Sequence, residues 1–142
     1  MQIKSILVPT DGSNNAAIAM TAATDIAKQT GASVKSIYIV DRTPLIMSQS
    51  PDVINDAAKQ DANLALSVME EKANEMGVPY SEEILSGDPA EAIIKESANH
   101  DIVVMSSIGK TGIKKAFLGS VSQKVAAQAK APVLVVKPSD II

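Results

Sequence analysis

The sequence predicts a doubly wound α/β domain: a five-stranded parallel sheet with helices on both faces. Three observations lead there. Four apolar runs, Ile6 to Val8, Ile37 to Val40, Ile102 to Met105 and Val133 to Val136, are nearly continuous, as strands buried on both faces are. The stretches between them carry apolar residues at helical spacing. Strand and helix patterns alternate along the chain as βαβαβαβαβ, and right-handed crossovers turn that order into a parallel sheet with every loop that follows a strand at one edge.

Each element has its own signals. In the first helix Ala19, Ala22, Ala23, Ile26 and Ala27 share a face, and Gly31 stands where a helix C-terminal glycine belongs. In the second, Ala65, Val68, Met69, Ala73 and Met76 form the inner face, closed by Gly77 and followed by Pro79. The run Tyr80 to Leu85 carries Glu82 and Glu83 in its middle, which predicts an edge strand. Asp88, Pro89 and Glu91 have the order of an N-cap, a first-turn proline and a capping-box acid, ahead of a helix with Ala90, Ile93, Ile94 and Ala98 inside. The last helix opens with Ser120 and Gln123 at capping-box spacing and turns Val121, Val125 and Ala129 inward.

Length and composition set bounds. The 142 residues make one domain, 1–142, and 46% hydrophobic residues suffice for its core. A net charge of −3 gives no basic footprint for nucleic acid, and Tyr38, Tyr80 and Phe117 are too few aromatics for a base-stacking platform. Without cysteine there is no disulfide, thiolate metal site or thiol nucleophile. With His100 alone there is no histidine-rich metal centre; next to Asp101 at a strand start, it reads as a surface residue far from the binding loops. The opening MQIKSILVPTDGS is too briefly apolar for a signal peptide or a membrane span, so the expectation is a soluble cytoplasmic protein.

In doubly wound sheets ligands bind beyond the strand C-termini. Two loops there carry chemistry. The first is Pro9-Thr10-Asp11-Gly12-Ser13, where Asp11 either forms an Asx-turn and caps the next helix with Ser13 and Asn14, or faces a ligand. The second runs from Ser106 to Ser120 and ends at a helix N-terminus, where glycine lets amides approach an anion and the helix dipole favours it. Gly119 and Ser120 suit phosphate, with the Ser120 hydroxyl as donor and Lys110 as charge; equally, Gly119 permits a turn and Ser120 caps the helix. Lys114 and Lys115 read as a solvated face. Gly109-Lys110-Thr111 resembles the end of a Walker A loop, but the glycine needed five positions earlier is Val104, and no G-x-G-x-x-G follows any strand. The segment Asp41 to Pro51, with two prolines, reads as a lid.

The stretch Val103-Val104-Met105-Ser106-Ser107-Ile108-Gly109, then nine residues, then Gly119-Ser120-Val121, followed by Ala131-Pro132-Val133-Leu134-Val135-Val136-Lys137, resembles the universal stress protein family. So does Ile6-Leu7-Val8-Pro9-Thr10-Asp11-Gly12-Ser13, and the βα alternation extends the likeness over essentially the whole chain. The family's nucleotide-binding members carry Gly, two residues, Gly, nine residues, Gly and Ser or Thr. The resemblance implies a Rossmann-like fold of the adenine nucleotide alpha-hydrolase type and a site for ATP, or for AMP or ADP. It places adenine at Ile39, Pro9 and Thr10, with Asp11 facing the ribose or a phosphate-bound Mg or Mn ion. Met105, Ser106, Gly109, Gly119, Ser120 and Val121 surround ribose and phosphates. Ser106 replaces the first signature glycine; its Cβ and hydroxyl either crowd the nucleotide or add a hydrogen bond. The resemblance also implies a homodimer through the last strand, Pro132 to Lys137.

The functional expectation is a nucleotide-dependent regulatory module of the stress response whose state a protein partner senses. The alternatives are a slow ATPase, for which Asp11 is the one candidate base, and a stress protein acting through protein contacts alone, which Ser106 keeps open. A phosphoryl-receiver domain fits poorly. Lys137-Pro138 follows its last strand, but it needs an acidic cluster where only Asp11 stands, and Asp88 reads as a cap.

Overall fold

The computed structural model describes residues 1–41, 55–109 and 118–138. In chain order the elements are β1 (Ser5–Thr10), α1 (Asn14–Thr30), β2 (Ser33–Asp41), α2 (Asp56–Met76), β3 (Tyr80–Gly87), α3 (Pro89–Ser97), β4 (Ile102–Ser106), α4 (Ser120–Gln128) and β5 (Val133–Val136). All pairings are parallel and the strand order is β3-β2-β1-β4-β5. The chain therefore winds one way from β1 to β3 and returns to start again at β4. Of the expected lid only Asp41 is described, as the end of β2; its other residues, with Lys110, Lys114 and Lys115, lie outside the described residues. No described helix is long and apolar enough to cross a membrane.

Strand alternation sorts the apolar side chains into two cores. Ile6, Val8, Val34, Val104 and Val136 pack with Met20 and Ala23 of α1 and Met69 and Ala73 of α2. Leu7, Ile37, Val103 and Met105 face the other way, onto Ala90 and Ile93 of α3 and Val125 of α4. Both faces of β1, β2 and β4 are covered, which is why those strands read as unbroken apolar runs; β5 reads the same but is not buried on both faces, since Leu134 is exposed. The edge assignment for Tyr80 to Leu85 agrees with the structure, where β3 continues to Gly87 at the end of the sheet. β2 begins at Ser33, four residues before its apolar run, because Ser33 to Ser36 pair in register with Ser5 to Val8.

Caps explain the helix limits. Ser13 caps α1, its Oγ accepting from Ala16 N at 3.1 Å, and Gly31 closes it with φ 77°. Asn55 caps α2 in the same way, and Gly77 ends it with φ 68°, a backbone region other residues rarely adopt. Asp88 accepts from Glu91 N at 2.9 Å with Pro89 at the first helical position. Glu91 completes no capping box: its carboxylate turns to Lys124, 3.6 Å away.

Four local expectations are corrected: Ala98, expected on the inner face of α3, is exposed and follows the helix as its C-cap residue. Val68 is not on the inner face of α2; it is 43% exposed, and the buried stripe is Ala62, Ala65, Leu66, Met69 and Ala73. Ser120 does not cap α4: Gly119 holds the cap position without a side-chain bond, and Gln123 Nε2 donates to Leu118 O at 2.7 Å. His100 is not a surface residue, since its side chain is only 6% exposed. It does lie at the N-terminal end of the sheet, where Nε2 donates to Glu96 Oε2 at 2.9 Å and Ser5 Oγ lies 2.6 Å from Nδ1. With Nε2 as donor, a neutral ring accepts from the Ser5 hydroxyl. Lys35 reaches Glu96 at 3.1 Å and Glu83 at 2.8 Å, while Asp101 accepts from the amides of Lys4 and Ser5.

This network has an acid-dependent consequence. Burial pushes the Glu96 carboxyl up, but hydrogen bonds from His100 and Lys35 more than offset it and hold the group below its ordinary value. A carboxyl depressed in the folded state adds stability above its unfolded value, and that stability is lost as pH falls through the folded value. The wild type's resistance to urea is expected to weaken as pH drops below about 4.3, the ordinary glutamate value, with a shallower acid limb in Glu96→Gln. Superimposable limbs would remove Glu96 from the account.

Candidate functional site

β1 and β4 are neighbours in the sheet although five elements separate them in the chain, so the winding reverses between them. Their pairing covers Ile6↔Ile102 and Leu7↔Val103. Pro9, two residues on, has no N–H to offer a ladder. The crevice beyond these pairs is the kind of place where open α/β sheets take ligands.

A cavity of about 180 Å³ opens there on the α3/α4 side, lined by Pro9, Thr10, Asp11, Ile39, Met105, Ser106, Gly109 and Val121. Eight of the ten residues singled out in the sequence thus share one pocket. The sequence reading missed Ser13, Ala16, Pro89, Ile93, Ile108 and Ser122, which complete the wall. Pro89 and Ile93 come from α3, and only the fold brings that helix beside β4. Gly119 and Ser120 do not line the pocket. They stand at the start of α4, where the amides of Ser120 and Val121 have no acceptor within the helix. The Gly119 amide is taken, donating to Ser107 O at 2.8 Å.

The first loop is held by its own side chains. Thr10 Oγ1 accepts from Gly12 N at 3.1 Å, and Asp11 Oδ1 accepts from Ser13 N at 2.9 Å. Asp11 thus makes the Asx-turn while also lining the pocket. Its Oδ2 lies so near Gly109 that a Cβ there would come within 2.5 Å. Asn15 Nδ2 donates to Gly109 O at 3.3 Å and ties the two loops together.

The Ser106 hydroxyl folds back on its own turn, donating to Ile108 O and accepting from Ile108 N. It is therefore engaged with backbone rather than free to fill the cavity. Ser106 O accepts from Ser122 Oγ at 2.8 Å, Ser107 N donates to Val136 O at 3.0 Å, and Ser107 O receives the Gly119 amide. The second loop is thereby pinned to α4, to the end of β5 and to itself.

The arrangement suits part of a nucleotide. Pro9, Ile39, Ile93, Met105 and Val121 offer apolar surface for a flat base, and Asp11 offers acceptors for hydroxyls or a cation. At about 180 Å³ the cavity is below the ~300–1,000 Å³ of whole small-molecule pockets, so it could hold only part of a nucleotide. Among the described residues no group of three His, Cys, Asp or Glu could hold a metal ion.

Known proteins align with nearly the whole length of this chain. The model for the Universal stress protein family matches residues 2–137. Universal stress protein MJ0531 of Methanocaldococcus jannaschii is 39% identical over 94% of this chain and 82% of its own length. The solved structure of protein MJ0577, from the same organism, superposes with TM-score 0.84 at 29% identity, covering 96% of this chain and 97% of that one. A universal stress protein crystallised in complex with cAMP superposes with TM-score 0.73 at 25% identity over 96% and 98% of the two chains.

Proposed function

The chain belongs to the universal stress protein family, and from that premise we propose that it binds ATP in the β1–β4 crevice and acts as a nucleotide-dependent regulatory module of the stress response. The observation that carries this reading is the convergence of Pro9, Thr10, Asp11, Ile39, Met105, Ser106, Gly109 and Val121 on one cavity at the switch point of the sheet. The relative that holds cAMP supports an adenine nucleotide as the ligand class. Adenine lies against Ile39, Pro9 and Thr10, the ribose faces Asp11 and Met105, and the phosphates pass Gly109 toward Gly119 and Ser120. There the N-terminus of α4 favours negative charge. In place of the ribose, Asp11 would be the residue to hold a Mg or Mn ion carried by the phosphates, and such an ion would neutralise phosphate charge.

Binding rather than hydrolysis is the better reading of Asp11. Of the pocket's lining residues it alone has a carboxylate, and one of its oxygens already holds the turn that shapes the loop. The engaged hydroxyl of Ser106 favours ATP binding over a role through protein contacts alone. The working unit in this reading is a cytoplasmic homodimer of single 1–142 domains joined through Pro132 to Lys137. Leu134, 39% exposed on the edge strand β5, supports it. A protein partner senses the loops that the nucleotide orders.

The test is to purify the protein without added nucleotide, denature it, identify what is released by chromatography, and titrate emptied protein with ATP. ATP recovered in proportion to chain, with nearly equal affinity in Ser106→Gly, is the expected result. A protein that is empty and takes up no ATP until Ser106 becomes glycine would show that the serine closes the pocket.

A further inference from the structure

The β1–β4 ladder has two paired positions where the β1–β2 ladder has six, so the loops that follow β1 and β4 leave the sheet without main-chain pairing to each other. Side chains meet across the gap instead, at Gly109. Asn15, in the first turn of α1, donates from Nδ2 to Gly109 O at 3.3 Å, and the Asp11 carboxylate stands against the same glycine. A carbonyl can accept only from the amide nitrogen of that side chain, which fixes its orientation. A carboxylate in this turn would suit the helix dipole better, yet α1 has no acid there, and one at position 15 would set its oxygens against the Gly109 carbonyl. Asn15 is not among the residues that line the cavity, although Asp11, Ser13, Ala16 and Gly109 are. It ties two walls together without being one of them.

We propose that the hydrogen bond from Asn15 to Gly109 is a latch between the two loops, which sets how fast a nucleotide enters and leaves the crevice. In the nucleotide-binding reading of the crevice, on which this rests, the phosphates pass Gly109, so the ligand travels through the interval that the bond spans. Passage requires the loops to separate. The bond opposes that separation to the same extent in the empty and the filled crevice, because Asn15 touches the far loop and not the ligand. Losing it therefore speeds entry and release by one common factor and leaves their ratio, the affinity, nearly unchanged. A residue that contacts the ligand behaves differently, since its loss shows mainly in release. One hydrogen bond between neutral groups accounts for about two- to tenfold in each rate.

The test is Asn15→Leu, which keeps the shape of the side chain and removes the donor. Asn15→Ala, a better helix former, repeats the measurement without the added apolar surface. Stopped-flow binding of ATP carrying a fluorophore on its γ-phosphate should show both rate constants raised by about two- to tenfold, at a dissociation constant within about twofold of wild type. Asn14→Leu, at the exposed position before it, should leave both rates as they are. In the nucleotide-free protein, amide exchange at Ile108 and Gly109, read by NMR, should be faster in both Asn15 variants, while circular dichroism shows the fold retained. The proposal is overturned if neither rate changes, or if exchange at Ile108 and Gly109 is unaffected. It is overturned also if release alone quickens and affinity falls with it, which would make Asn15 an ordinary binding contact. A wild type that takes up no ATP would sink the nucleotide reading and the latch with it, whereas a wild type and variants that bind ATP at identical rates sink the latch alone.

Discussion

Gly109→Val is expected to lower ATP affinity by about ten- to a hundredfold, about 1.4–2.8 kcal/mol, without unfolding the protein. A Cβ at this position would stand 2.5 Å from Asp11 Oδ2, closer than real side chains come. Turning the Asp11 carboxylate to relieve that contact costs its bond to Ser13 N and withdraws the acceptor that would face the ribose. Since Gly109 is exposed and outside every helix and strand, the sheet should be untouched. Calorimetric titration checks the affinity, and circular dichroism checks the fold. Combining Gly109→Val with Asp11→Ala separates the two effects: if the clash is the cause, the second substitution costs less in the valine background than in the wild type. Additive losses would mean that the two residues act independently.

The largest effect on stability is expected from Leu7→Ala. Leu7 has no exposed surface, lies on the central strand, and joins Ile37, Val103 and Val125 in the α3/α4 core. Truncation leaves a cavity that close-packed neighbours fill only partly, at a cost of about 2–5 kcal/mol. That is a large share of the ~5–15 kcal/mol by which domains of this kind are stable. Urea denaturation should show a lower midpoint at unchanged slope. Leu64→Ala, by contrast, removes a side chain that is 64% exposed and should stay within about 0.5 kcal/mol of wild type. A Leu7→Ala midpoint indistinguishable from that of Leu64→Ala would contradict the packing described for this core.

How much of this was legible in the chain depended on how local the cause was. The buried strands announced themselves because both faces are covered, and Asp88, Gly31 and Gly77 announced helix ends because capping is chemistry within one turn. Ser33 to Ser36 gave no such signal: Ser36 is fully buried in a strand that exists because β1 and β3 pair with it on either side. Val68 fell on the wrong side because helical spacing fixes which residues share a face, while the neighbouring elements fix how wide the buried stripe is. At the site, the two loops were visible as motifs. Pro89 and Ile93 were not, since their part depends on where α3 comes to rest. His100 illustrates both cases. Its helical neighbour Glu96 is four residues back and could have been read, but Ser5 meets it only because β1 lies beside β4.

The short hydrogen bonds at Ser107 make the second loop a cartridge. Its amide is fastened to Val136 and its carbonyl to Gly119, so the chain leaves the sheet and re-enters the next helix through a closed neck. A closed neck uncouples what it carries from the scaffold beneath. Changing the number of residues between Ile108 and Leu118 alters mainly the entropy of a loop whose ends are already joined, and even doubling such a loop costs only about 0.6 kcal/mol. The strands can therefore keep their register whatever follows Gly109 in this interval, whereas Gly109 itself is fixed by Asp11 and Asn15. For protein engineering this makes Ser107 and Gly119 the anchors to keep, with Gly109 kept for the site, whenever the residues between them are changed.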